Sequence, residues 1–248
     1  MTTPAYLISD VHLTLQDNQE ERNRRKLLFQ FFHMVQETGG TLYIVGDLFD
    51  FWFEYRQVVA KGYLDVISQL YMLRNSGVEI HFILGNHDYW ADDFFAKYLG
   101  FHVYQEAADV EIGGRRVHLT HGDGLLPSDR GYRLLRLVLR NRLTIFLYRW
   151  FHPDLGIALA QYASRLSRKY NPDDGREDYK FNGLMGYVQE QWAAGADLVV
   201  MGHYHVNRLQ TNTEGKSFLC LGDWINHFTY GRILDGRIEL LKWSAESG

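Results

Sequence analysis

The chain has 248 residues, 46% of them hydrophobic, and 26 Lys and Arg against 30 Asp and Glu give a formal net charge of -4. That length and apolar content suit one large core, predicting one domain over 1–248, and the mildly acidic balance argues against a nucleic-acid-coating protein. A lone cysteine, Cys220, excludes an intrachain disulfide framework and suits the reducing cytoplasm, and no stretch reaches the about 18 apolar residues of a membrane span.

In chain order, the run Ala5-Tyr6-Leu7-Ile8 reads as a buried strand and leads into Asp10-Val11-His12. A cleaved leader would remove both polar residues, so none is expected. A helix is predicted over 22–37 and a strand over 41–45, which ends at Gly46-Asp47-Leu48-Phe49-Asp50. A second helix over 58–75, closed by Gly77, precedes a strand that begins at Val78 and runs into Gly85-Asn86-His87-Asp88. After a helix beyond Asp92, strands over 103–112 and 116–120 are joined by the Gly113-Gly114 turn and lead to His121-Gly122-Asp123. Residues 124–180 read as several helices. The apolar run 198–201 then leads to Gly202-His203-Tyr204-His205, and strands follow over 208–211, 216–221, 228–234 and 237–243, the last two joined by Asp235-Gly236. Alternating strands and helices predict an α/β sheet.

Five polar segments therefore sit where strands end, the place where side chains in an α/β sheet converge on one crevice. What converges is carboxylate, imidazole and one carboxamide, with no thiolate. That donor set suits manganese, with iron, cobalt and zinc as alternatives, better than calcium or magnesium. Seven candidate ligands (Asp10, His12, Asp47, Asn86, His121, His203 and His205) are too many for one ion and suit two if Asp47 bridges them. Two such ions polarise a phosphoryl oxygen and activate a water for in-line attack, so hydrolysis of a phosphate ester or anhydride is the chemistry implied. Asn86 offers a carbonyl oxygen without adding negative charge to an anion-binding site. His87, not needed as a ligand, is free to protonate the leaving oxygen or to stabilise charge on phosphorus. Asp50, Asp88 and Asp123 are read as groups that orient ligands, and the remaining histidines as structural.

The ordered set D-x-H, G-D-x-x-D, G-N-H-D, a later His and G-H-x-H resembles the calcineurin-like metallophosphoesterase superfamily over nearly the whole chain. The resemblance implies a four-layer α/β/β/α sandwich. It places Asp10, His12, Asp47 and His205 around one metal, and Asp47, Asn86, His121 and His203 around the other. Within the superfamily, Gly46-Asp47-Leu48-Phe49-Asp50-Phe51-Trp52 is similar to the G-D-L-F-x-x-W of UDP-2,3-diacylglucosamine hydrolases, pyrophosphatases of lipid A synthesis. The run from His121-Gly122-Asp123 into Asp129 and Tyr132, and Leu221-Gly222-Asp223-Trp224, resemble the same enzymes. Their well-known members carry Arg after the Asn, where this chain has His87. The resemblance implies cleavage of UDP-2,3-diacylglucosamine to UMP and 2,3-diacylglucosamine 1-phosphate, by an enzyme acting from the cytosol on the inner membrane. A phosphodiesterase or nuclease, or a non-catalytic scaffold, are the alternatives on the same fold.

The stretch 124–180 carries eleven Lys and Arg against six Asp and Glu, net +5 in a chain of -4. Leu134, Leu135, Val138, Leu139 and Leu143 would form a wide apolar helical face. A basic, apolar insertion could cap the crevice around acyl chains and hold the protein at an anionic membrane surface. Its basic residues near the Pro172 break, Arg168, Lys169, Arg176 and Lys180, together with Asn171, are the candidates for diphosphate and sugar contacts. Trp52 is a candidate substrate contact by its resemblance to the family's Trp.

Overall fold

The computed structural model describes residues 3–170 and 175–244, with the side chains of 164–170 left aside. Two sheets face each other. The first has six strands in the order β11 (Arg237–Lys242), β10 (Thr229–Leu234), β1 (Ala5–Ile8), β2 (Thr41–Val45), β3 (Glu79–Ile83) and β4 (His102–Tyr104). The second runs β5 (Ala107–Ile112), β6 (Arg115–Thr120), β7 (Leu198–Met201), β9 (Ser217–Leu221) and β8 (Asn207–Thr211). Strands β1 to β4 run parallel to one another, as do β6, β7 and β9, while β10 joins β1, β5 joins β6 and β8 joins β9 in antiparallel fashion.

Side-chain alternation builds three apolar layers from strands whose every residue is buried. In β1, Tyr6 and Ile8 pack outward against α1 (Gln19–Thr38), α2 (Leu64–Asn75) and α3 (Phe94–Leu99), while Ala5 and Leu7 face the second sheet. In β7, Leu198 and Val200 join that inter-sheet layer, and Val199 and Met201 pack against Phe181, Leu184, Val188 and Trp192 of α7 (Glu177–Ala193). A strand covered on both faces has no polar side to show, which explains the unbroken apolar runs of the sequence. The result is the expected four-layer α/β/β/α sandwich.

Three expectations need correction. The helix predicted from Val58 starts later: a 3-10 turn spans Lys61–Tyr63 and α2 begins at Leu64. The single strand predicted over 103–112 is two strands in different sheets, because the chain crosses between β4 and β5. Finally, α7 begins within the predicted insertion, yet its apolar stripe packs on the second sheet. The remaining helices of the stretch, α4 (Arg130–Leu139), α5 (Arg142–Tyr148) and α6 (Pro153–Tyr170), behave differently, for α4 and α5 bury no residue at all. Cys220 is buried on β9, as a core thiol would be.

Candidate metal centre

All five polar segments emerge together. The loop after β1 runs beside the loop after β2: Asp10 N–H donates to the Gly46 carbonyl at 3.1 Å, His12 N–H to that of Asp47 at 2.9 Å, and Leu13 N–H to that of Leu48 at 3.0 Å. Five of the seven candidate ligands, Asp10, His12, Asp47, His203 and His205, have φ between 47° and 65°. Non-glycine residues adopt this left-handed backbone at a cost, and such strain gathers at functional sites where the surrounding structure holds it in place. Gly202 shows how tight the packing is, since a Cβ there would fall inside the Ser9 hydroxyl and the Asp10 carboxylate.

The donor atoms form two linked groups. In the first, His12 Nε2 and His205 Nε2 each lie 3.5 Å from Asp10 Oδ1. In the second, His121 Nε2 is 3.2 Å from Asp47 Oδ2 and 3.1 Å from Asn86 Oδ1, with His203 beside it at a ring separation of 5.1 Å. Asp47 also approaches the first group, with Oδ2 3.7 Å from His12 Nε2. Donors 2.0–2.1 Å from a tetrahedral ion stand about 3.3 Å apart, so these separations are those of atoms around an ion. The buried Asp10 Oδ1 accepts no hydrogen bond, although nearly all buried carboxylate oxygens do, and a cation is the partner it lacks. The residues present therefore fit divalent metal.

Neighbours fix how each ligand presents itself. His121 Nδ1 is 3.0 Å from the Val45 carbonyl and so carries its proton there, leaving Nε2 toward Asp47. Asp10 Oδ2 accepts from His203 N–H at 2.8 Å and lies 2.6 Å from Ser9 Oγ. His12 Nδ1 points toward Asp50 Oδ1 at 3.9 Å, consistent with an orienting role for that carboxylate. Asp88 accepts from Gly85 N–H at 2.6 Å and Leu48 N–H at 2.9 Å, pinning the Asn86 loop to the Asp47 loop. An amide in its place has one oxygen for two N–H donors. Asp88→Asn is thus expected to lower stability by about 1–3 kcal/mol, measured by denaturant titration.

His87 N–H donates to Asp47 Oδ1 at 2.9 Å, and His87 Nδ1 meets the Asp50 carbonyl at 2.6 Å. Its Nε2 stays 4.0 Å from Asp47 Oδ2 on a ring 26% exposed, at the mouth of the cluster.

The charges explain how the cluster behaves before a cation arrives. Burial raises the Asp47 carboxyl, but His121 and His87 outweigh it and hold the group well below the usual carboxylate range. Burial likewise opposes protonation of His121, yet Asp47 beside it raises the imidazole well above its ordinary value, and the Asp10 carboxylate 3.5 Å away raises His205 against its burial. His203 goes the other way, pushed down to about 4 by burial and by His121. Protons on His121 and His205 occupy the place of the cation. Metal binding must expel them, so affinity is expected to fall as pH drops through their raised values, with proton release visible when metal is titrated calorimetrically in buffers of different ionisation enthalpy.

Several contributors escaped the sequence reading. Asp223 is buried with Oδ2 3.5 Å from His205 Nδ1 and 2.6 Å from His227 Nδ1, and its Oδ1 accepts from the backbone N–H groups of Ile225 and Asn226. It orients His205, and His227, read as merely structural, steadies it. The signal was Leu221-Gly222-Asp223-Trp224, a matched motif left without a role. Asp123 accepts from Tyr132 Oη at 2.8 Å, Arg140 at 2.9 Å and Arg136 at 3.3 Å, while the Tyr132 ring lies 5.9 Å from that of His203. The Arg140 guanidinium, 13% exposed, also sits 4.0 Å from the Tyr89 ring centre, and Trp90 Nε1 donates to the Leu139 carbonyl. The end of α4 is thereby clamped to the loops carrying His121 and Asn86. Arg140→Met should raise KM and lower kcat/KM by roughly 10- to 100-fold, the worth of one charge-assisted bond, with metal content unchanged by elemental analysis.

The substrate candidates fare unevenly. Trp52 is 3% exposed and packs its ring on Phe49, Tyr63, Phe94 and Phe95 as a core aromatic does, while its backbone N–H donates to the His87 carbonyl at 2.9 Å. Arg176 and Lys180 stand at the start of α7, the former over the Tyr179 ring. The side chains of Arg168, Lys169 and Asn171 lie outside the described residues.

Fold, strand-end ligands and paired donor groups define a metal-dependent phosphoester hydrolase. Residues 3–207 match the calcineurin-like phosphoesterase family, to which the chain belongs. Among its relatives is the UDP-2,3-diacylglucosamine hydrolase of Porphyromonas gingivalis, 32% identical over 98% of each chain. Proteins of the same name from Pseudomonas savastanoi (29% identical; 88% of this chain and 87% of that one) and Neisseria meningitidis serogroup B (26%; 94% and 95%) are also similar.

Proposed function

We propose that the protein hydrolyses UDP-2,3-diacylglucosamine to UMP and 2,3-diacylglucosamine 1-phosphate, using two manganese ions and working at an anionic membrane surface. The observation that carries this reading is the uncovered apolar surface beside the cluster. Leu134 and Leu137 on α4, Leu143 on α5 and Trp150 in the turn after it are between 63% and 73% exposed, and Asp123 and Arg140 tie the end of α4 to the metal-bearing loops. Patches of this kind mark lipid or partner contacts, and a nucleotide substrate with a polar sugar alone would gain nothing from one. Arginines on the same helices, among them Arg130, Arg133, Arg142 and Arg149, suit an anionic lipid surface. No helix among the described residues is long and apolar enough to cross a membrane, so contact would be peripheral. We assign the 124–180 stretch up to α7 as a cap on a single domain.

Asp10, His12, Asp47 and His205 would hold one ion, and Asp47, Asn86, His121 and His203 the other. Bound divalent cations supply Lewis acidity toward phosphoryl oxygens and a water activated near neutral pH. Asp47, between the two groups, sets their spacing, and Asp223 and the Val45 carbonyl hold the imidazoles in register. Water adds to one phosphorus as the bond to the bridging oxygen breaks, and His87, its Nδ1 anchored on Asp50, delivers a proton from Nε2 to the departing oxygen.

The test is to compare manganese-loaded protein on UDP-2,3-diacylglucosamine, UDP-glucose and bis-p-nitrophenyl phosphate. Strong preference for the acylated substrate with UMP release supports the reading. Equal cleavage of the simple esters would retire the lipid and leave a general phosphodiesterase.

A further inference from the structure

A second group of metal-binding side chains lies away from this centre. Glu79, His81 and His102 offer ligand atoms all within 4.8 Å of one another. Strand alternation places Glu79 and His81 on one face of β3, and the parallel register sets His81 directly opposite His102 on the edge strand β4. The two rings stack with centres 4.7 Å apart at 27°.

His81 is prepared as a ligand. Its ring stacks on Tyr43 at 4.6 Å, and its Nδ1 is 3.0 Å from Tyr104 Oη. A partner on one ring nitrogen fixes the tautomer and directs the other outward, the usual arrangement behind a metal-bound imidazole. Burial, with His102 beside it, pushes His81 down to about 4, so it is neutral at physiological pH and needs to lose no proton to bind. His102 and Glu79 are exposed and can rotate the short distance that brings their atoms to coordination range.

We propose that Glu79, His81 and His102 form an additional site for a divalent transition metal of the zinc type, with water completing the shell. Two imidazoles and one carboxylate suit zinc, nickel or copper over magnesium or calcium. His81 is the middle residue of β3 and Glu79 its first, whereas Asn86 lies in the loop beyond the strand's end, so the site is set apart from the catalytic loops by up to roughly 16 Å of chain. The ion would staple the edge strand to its neighbour. β4 reaches the catalytic side only at its far end, where Leu84 N–H donates to the Tyr104 carbonyl at 2.9 Å.

Zinc binding is counted on the whole protein, first loaded with manganese, by titration with zinc chloride followed by desalting and elemental analysis. Zinc entering the catalytic positions contributes equally to wild type and variants. Wild type is expected to hold one zinc more than His102→Ala, and Glu79→Gln should weaken that equivalent by tenfold or more. Both variants should keep wild-type hydrolysis of bis-p-nitrophenyl phosphate with manganese, showing that they are folded. His33→Ala removes an exposed helix histidine 3.4 Å from Glu37 and should bind zinc as wild type does. Equal zinc in wild type and His102→Ala would overturn the site, and so would an equal loss in His33→Ala, which would mean adventitious surface binding.

Discussion

Asp47→Asn is expected to empty both halves of the metal centre together and to reduce kcat by a factor of roughly 10³ or more. The substitution is nearly isosteric, and the amide oxygen can still accept the His87 N–H that Asp47 Oδ1 receives at 2.9 Å, so the loop geometry should survive. What disappears is the charge on Oδ2, the atom within 3.2 Å of His121 and 3.7 Å of His12. Several kcal/mol of Lewis-acid stabilisation depend on the ions it helps to hold, and each 1.36 kcal/mol is about a decade of rate. Elemental analysis after gel filtration should find well under one metal per chain, while the circular dichroism of the metal-free form stays that of metal-free wild type; its unfolding midpoint should fall, because the buried charge that faces His121 is gone. Full occupancy of either group in the variant would show that Asp47 does not bridge.

The complementary substitution, His87→Ala, should leave both metals in place and slow turnover by about 10² to 10⁴, the range for loss of a general acid. Its Nε2 is 4.0 Å from Asp47 Oδ2, beyond the separations of the paired donors, and its Nδ1 is committed to the Asp50 carbonyl. The fall should appear in kcat rather than KM, and it should shrink for substrates with good leaving groups such as p-nitrophenolate, which need no proton. A metal missing from the variant would make His87 a ligand instead, since it can also complete a group with His12 and Asp47. The pair of experiments thus separates holding the ions from moving the proton.

All seven candidate ligands were legible because each follows a run of apolar residues that can only be a buried strand, and strands in such sheets deliver their C-terminal ends to one side. The left-handed backbone of Asp10, His12, Asp47, His203 and His205 was not legible, because no local signal marks an aspartate or histidine for positive φ; contacts between loops far apart in sequence impose it. Asp223 was overlooked for a similar reason. Its importance rests on an approach to His205 across 18 residues of chain that include an entire hairpin. For Trp52, motif position suggests a substrate contact, and only the tertiary structure shows that the ring is also packed on four aromatic neighbours.

By itself the sequence determined the donor chemistry of the site and an α/β sheet, because ligand types and strand-length apolar runs are local properties of the chain, while the four layers followed from the family resemblance. Tertiary structure alone decided which helices of the 124–180 stretch pack on a sheet and which leave their apolar faces bare. Apolar residues at helical spacing occur both in a helix that packs on a sheet and in one that leaves its leucines bare, and the difference lies in what stands opposite. For α7 it is Val199, Met201 and Phe218; for α4 it is a set of mostly polar partners, among them Asp123, Tyr89, the Trp90 indole and the Gly124 and Leu126 carbonyls.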